Sequence, residues 1–300
     1  MNVQIIALSA AIAYALSFVL SKRGFKNSTP VTITFVSLLI QTVILFAIVF
    51  TVTGVPATTP FVFMLFAIAG VLQAVVRMLT YIGIEKIGAA RSGPIRASVP
   101  LWSAAVAIFF LGETITASIC FGTILVVGGI LLISWRADEH VKDFRPWFII
   151  APLLAAILGG VVYPIRRYAL RFSDEPIFFG AVVGVVGLAC TAAYLALPTT
   201  KETLVWNRES IGYFIAGGAF ESLGLLLVLY ALTFGPVVMV TPLTATLPLW
   251  VVLLSKMFLP DVEKITGRIV IGATLVVCGT ITIALVRVIE THPPIETTVL

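Results

Sequence analysis

Charge is what this sequence has least of. Of its 300 residues, 11% are Asp, Glu, Lys or Arg, against about 25% in a soluble domain. A water-soluble fold is thereby excluded, because it could not cover itself with so few charged groups. The net charge of +5 comes from Lys and Arg that sit mostly in short connections between apolar runs, not on one basic face, so no nucleic-acid partner is expected. Histidine is nearly missing: His140 and His292 fall in the central polar segment and the tail. With no HExxH, GxSxG, P-loop or paired-carboxylate arrangement, the chain is not expected to be an enzyme or to hold a metal or cofactor. Cys120, Cys190 and Cys278 lie inside apolar spans without CxxC spacing and read as small packing residues.

What the sequence has instead is apolar length. Hydrophobic residues make up 60% and the mean hydropathy is +1.12. Runs of about 20 apolar residues, each enough to cross a ~30 Å hydrocarbon core, follow one another along the chain. Breaking it at charge and Pro/Gly/Asn clusters gives spans near 3–21, 31–52, 61–84, 89–111, 116–134, 147–166, 177–197, 211–232, 236–258 and 267–286. No basic residue precedes Lys22, so Val3 to Ser21 reads as a retained first span and not as a signal peptide. Runs this long must be helices, since barrel strands are about 10 residues long and alternate. The expected fold is an all-α, multi-pass integral protein of the cell (plasma or inner) membrane. The longest polar segment, Trp135 to Pro146, falls near the middle and reads as a linker.

The two halves resemble each other. PIRASVPLW (Pro94 to Trp102) matches PLTATLPLW (Pro242 to Trp250), and GTILVVGG (Gly122 to Gly129) matches GATLVVCG (Gly272 to Gly279). Tyr81 pairs with Tyr230 after a one-residue gap, Pro30 with Pro176, and Lys22-Arg23 with Arg166-Arg167. Five spans per half is an odd number, so the second half must enter the membrane in the opposite orientation. The expected architecture is therefore ten transmembrane helices in two inverted five-helix repeats around a central cavity. The divisions are 1–135 for the first repeat, 136–146 for the charged linker, 147–288 for the second repeat and 289–300 for a polar tail. Inverted repeats are a recurring plan of secondary transporters, with substrate held near the midplane and exposed alternately to either side.

The ten-span duplication, the Pro-rich fourth and ninth spans, and the acidic turn Leu111-Gly112-Glu113 resemble the EamA-type branch of the drug/metabolite transporter superfamily. The second copy of the turn, Leu259-Pro260-Asp261, keeps the acid and loses the glycine. The resemblance, which runs from about Val3 to Val288, implies a basket of helices whose cavity is lined mainly by the first, third, fourth, sixth, eighth and ninth spans. Family members move amino acids, metabolites or phosphorylated compounds, so the resemblance does not fix a substrate.

Three charges lie well inside spans: Arg77, Arg96 and Glu221. An ionisable side chain in hydrocarbon costs at least about 2.5–3.5 kcal/mol on insertion scales, so it needs a partner, water or a route out. Arg77 and Arg96 stand at similar distances either side of the turn near Lys86 and Ile87, where two guanidiniums could share one anion; snorkelling to that turn is the competing reading. Gly70, Gln73, Arg77 and Tyr81 fall on one face of the third span, which is expected to line the cavity. Pro94 and Pro100 flank Arg96 and are expected to bend its helix; Pro242 and Pro248 repeat the bend around Thr244. Glu221, among Gly217, Gly218 and Gly224, is either the partner of an arginine, a carrier for a proton or cation, or a hydrogen-bonded structural acid. Trp102, Trp250 and Tyr230 are candidate lining residues with packing as the competing role. Tyr14, Ser17, Ser98 and Tyr163 enter as cavity candidates through the resemblance. Arg166, Arg167 and Lys256 read as interfacial anchors at span ends.

The expected function is a secondary transporter that moves a small polar metabolite, anionic or zwitterionic and amino-acid-like, by alternating access. The alternatives are proton-coupled efflux of cationic drugs through Glu221, and a flippase for lipids or lipid-linked sugars. The partners implied are a small-molecule substrate and the lipid bilayer, with the proton as a candidate coupling ion; monomer and homodimer both stay open. Loop Lys and Arg are concentrated after the odd-numbered spans, which places both termini outside by the positive-inside rule. The family resemblance implies cytoplasmic termini, so the two arguments disagree.

Overall fold

The computed structural model describes residues 3–25, 28–99, 101–102, 117–134, 146–173, 175–197, 202–234, 240, 243–259 and 266–291. Pro100, Pro242, the Leu111-Gly112-Glu113 turn, Pro260, Asp261, linker residues 136–145 and tail residues 292–300 lie outside the described residues.

Apolar runs in hydrocarbon must satisfy every backbone N–H and C=O within themselves, and the described secondary structure is helical throughout. The helices are α1 (Val3–Gly24), α2 (Pro30–Ile48), α3 (Pro60–Ile87), α4 (Ala89–Arg96), α5 (Ala117–Ser134), α6 (Ile150–Leu170), α7 (Pro176–Ala196), α8 (Arg208–Phe234), α9 (Leu247–Phe258) and α10 (Gly267–Thr291). Among the described residues, six stretches are long and apolar enough to cross a membrane: Val3–Gly24, Pro30–Thr53, Pro60–Ile87, Trp147–Leu170, Pro176–Ala196 and Arg208–Phe234. Their outward faces carry exposed side chains such as Val43, Phe50, Phe63, Val75 and Ile215, as lipid contact requires and water disfavours. Five helices outrun their expected spans: α1 reaches Gly24, α3 reaches Ile87, α6 continues to Leu170, α8 runs from Arg208 to Phe234 and α10 continues to Thr291.

Helix ends follow local chemistry. Thr29 and Thr59 precede Pro30 and Pro60 and accept hydrogen bonds from Thr32 N and Val62 N at 3.4 Å, so hydroxyl cap and N1 proline start α2 and α3 in the same way. Gly88 alone separates α3 from α4; at φ +88° it occupies backbone space that L side chains rarely adopt, and the chain reverses there without a loop.

The packing maps onto itself when the halves are exchanged. Helix α1 packs on α8 as α6 packs on α3; α2 packs on α8 as α7 packs on α3; α2 meets α7, and α5 meets α10. Even atoms obey the exchange: a Cβ on Gly129 would meet Gly272 O at 2.6 Å and Val276 Cγ2 at 2.8 Å, while one on Gly279 would meet Gly122 O at 2.6 Å and Val126 Cγ2 at 2.8 Å. Small residues let the α5 and α10 backbones approach this closely.

The fourth and ninth spans break at equivalent residues. The helix ends in a turn at Ala97-Ser98 in one half and at Ala245-Thr246 in the other. Ser98 Oγ donates to Ile95 O at 2.7 Å, and Thr246 Oγ1 donates to Leu243 O at 2.7 Å. The same carbonyls also accept the backbone N–H of these residues, Ser98 N at 3.2 Å and Thr246 N at 3.3 Å, so amide and hydroxyl together close each turn in 3₁₀ fashion.

Candidate functional site: an arginine-rich central cavity

The two broken spans meet α1, α3, α6 and α8 around a central cavity. Its polar lining is Tyr14 from α1; Gln73, Arg77 and Thr80 from α3; Arg96 from α4; Tyr163 and Arg166 from α6; Glu221 from α8; and Thr244 beside the second break. These are the six spans that the family resemblance implies.

The four charged groups are held differently. Arg77 is tied from three sides: Nη2 donates to Gln41 Oε1 at 2.6 Å, Nη1 donates to Ser37 Oγ at 3.3 Å, and Nη2 lies 3.7 Å from Glu221 Oε1. Gln41 in turn donates from Nε2 to Gly180 O at 2.9 Å, so the network joins α2, α3, α7 and α8. The side chains of Arg77 and Glu221 are 1% and 13% exposed. Glu221 thus stands as an ion-pair neighbour of Arg77.

Arg166 is buried, not interfacial as expected. Because α6 continues to Leu170, Arg166 sits a full turn inside the helix. Its Nη2 donates to Gln73 Oε1, its guanidinium lies 5.9 Å from the Tyr163 ring centroid, and its Nε has no hydrogen-bond partner among the described residues. Arg96 makes neither hydrogen bond nor ion pair among the described residues. Its guanidinium rests against α6 where Gly159 leaves room: a Cβ there would come within 2.9 Å of Arg96 Nη1. Tyr14 is placed by a similar vacancy, its ring lying on Gly224 at 2.8 Å from where a Cβ would be.

Other expected lining residues sit elsewhere. Tyr81 is buried with Ala15, Phe18 and Ile33, and Thr80 takes the lining position beside Arg77. Gly70 packs on Val186 and Val183 of α7. Ser98 is occupied by the helix break and accepts a hydrogen bond from Trp102 Nε1 at 3.2 Å. Trp250 packs on the cluster around Phe18, and Tyr230 lies nearly parallel to Phe234. The structure therefore brings Arg77, Arg96, Gln73, Glu221, Thr244, Tyr14 and Tyr163 into one cavity, and leaves Tyr81, Ser98, Tyr230, Trp102 and Trp250 in the packing around it.

Several basic residues counted as loop charge serve helix ends. Lys22 Nζ donates to Ile84 O and Glu85 O at 3.1 Å, Arg23 Nη1 to Phe258 O at 2.9 Å, and Arg167 Nη1 to Leu232 O. Cations at helix C-termini complete the last carbonyls. Arg91 is buried in α4. Both sides of the orientation count thus include charges that are part of the packing.

A helical membrane fold of two matching halves around a polar cavity defines the class: a polytopic membrane transporter. The sequence model of the EamA-like transporter family matches residues 1–135 and 146–285, and the chain belongs to that family. An uncharacterized protein of Methanocaldococcus jannaschii is 27% identical over 135 residues, which are 96% of that protein and 44% of this chain. That relative is thus about one repeat long. A solved crystal structure superposes with a TM-score of 0.68 over 96% of this chain and 99% of its own, at 16% identity, a likeness of fold alone.

Proposed function

We propose that the protein is a secondary transporter for a small anionic or zwitterionic metabolite, moved by alternating access between the halves 1–135 and 147–288 as they rock in opposite orientations. The observation that carries this reading is the charge of the cavity. Among the described residues, Arg77, Arg96 and Arg166 face a single carboxylate, Glu221, which leaves a net of +2 in a lining otherwise made of hydroxyls, an amide and apolar groups. Uncompensated charge away from water is costly, so a substrate that brings negative charge is favoured over one that brings more positive charge. Arg96 carries the substrate's anionic group, since Arg77 is already engaged by Glu221, Gln41 and Ser37. The same engagement counts against cation efflux through Glu221.

Ligand-induced thermal stabilisation of the detergent-purified protein tests the sign of the preferred charge. Carboxylates and amino acids are expected to raise the melting temperature, and Arg96→Gln is expected to remove that shift. Stabilisation by quaternary ammonium compounds alone, surviving in Arg96→Gln and lost in Glu221→Gln, would overturn the proposal in favour of cation efflux.

A further inference from the structure

Arg166 gives the cavity a second cationic contact, and we infer that the substrate is a dianion held between Arg96 and Arg166. This deepens the reading above and rests on it. Gly159, Tyr163 and Arg166 recur at helical spacing on one face of α6, so the guanidinium of Arg96 lying over Gly159 and that of Arg166 sit along the same face with the Tyr163 ring between them. Gly159 and Arg166 are roughly 10 Å apart along the helix axis, a gap that two arginine side chains narrow to the length of a small molecule with charge at each end.

The bonding pattern divides the labour. Arg77 has its charge matched by Glu221, so it adds nothing to the net demand of the cavity. Gln73 holds one end of the Arg166 guanidinium and fixes its plane, while Nε has no hydrogen-bond partner among the described residues although the residue is 3% exposed. A buried N–H without an acceptor is costly, and a guanidinium edge with its plane already set suits two-point contact with a carboxylate or phosphate. Arg96 supplies the second cation. Two negative charges neutralise the cavity; one leaves it at +1.

The shared chemistry, two negative charges on a small molecule, is met by a dicarboxylate and by a phosphate monoester, and the experiment separates them. Full-length protein in detergent at pH 7.5 is titrated with succinate, glycerol 3-phosphate, lactate, alanine and choline, and melting is followed for wild type, Arg166→Lys and Arg166→Gln. Half-maximal stabilisation is expected at about tenfold lower concentration for one of the two dianions than for lactate or alanine. Arg166→Gln brings that ratio to about one, and Arg166→Lys, which keeps the charge without the fork, falls between. Wild-type protein that binds lactate or alanine as tightly as either dianion overturns the inference, whether or not Arg166→Gln folds. If Arg96→Gln then still abolishes that binding, the proposed function stands without it. Stabilisation by choline alone removes both.

Discussion

Arg77 shows how a charge can lie inside a membrane protein without being free for a ligand. Its two terminal nitrogens are taken by Gln41, Ser37 and Glu221, and removing one partner of a buried pair leaves the other charge uncompensated, at a cost of about 3–5 kcal/mol. Arg77→Gln is therefore expected to lower the melting temperature more than the double change Arg77→Gln with Glu221→Gln. Losses that simply add would contradict the pairing. Arg96 is the opposite case, placed by a missing side chain and not by a partner. Gly159→Ala should push the guanidinium aside: the Arg96 tip is flexible, so stability changes by less than about 1 kcal/mol, while affinity for the transported anion falls about tenfold. Arg77, Arg96 and Glu221 were legible in the sequence because charge in an apolar span has few explanations. Arg166 was not, because pairing Lys22-Arg23 with Arg166-Arg167 draws it to the membrane surface. Matching Ala10-Ala11-Ile12 to Ala155-Ala156-Ile157 instead sets Arg167 against Lys22 and Arg166 against Ser21, which is fully buried. The bonds agree, since Lys22 and Arg167 each donate to the end of the third helix of their own half, α3 and α8.

At the scale of the element, the broken helices decide where charge can be displayed. Turns at Ala97-Ser98 and Ala245-Thr246 interrupt the spans beside Arg96 and Thr244, and in each a hydroxyl joins the backbone N–H on a carbonyl three residues back. Ser98→Ala and Thr246→Ala should each cost about 1 kcal/mol in thermal melts, Ser98→Ala the more because it also removes the acceptor of Trp102 Nε1. A large cost at one site and none at the other would show that the turns are not equivalent. The bends were legible from proline spacing. The roles of Ser98 and Trp102 were not, because a polar side chain two residues before a proline serves the backbone as readily as a cavity. Tyr81 and Tyr230 illustrate the same limit: the repeat pairs them, and both ended up in packing, where an aromatic ring fills space between helices.

At the scale of the whole molecule, hydropathy identified the helices and internal similarity identified the halves, because lipid leaves one way to satisfy a long apolar backbone and duplication leaves its trace in packing residues. The proposed opposite membrane orientation of the halves can be tested directly. The connections between α2 and α3 and between α7 and α8 should lie on opposite faces. With the native cysteines replaced by alanine, Ala57→Cys or Glu202→Cys, both at exposed positions, should react with an impermeant maleimide on intact cells, but not both. Labelling of both would contradict the inverted arrangement.

In the proposed transporter, Arg96, which makes no hydrogen bond or ion pair among the described residues, binds the transported anion. Counterflow in proteoliposomes tests it most directly, comparing wild type with Arg96→Gln for the compound that best stabilises the wild-type protein. Exchange lowered on the order of 100-fold, with the variant folded and reconstituted to the same level, is the expected result. Undiminished exchange by Arg96→Gln would contradict it.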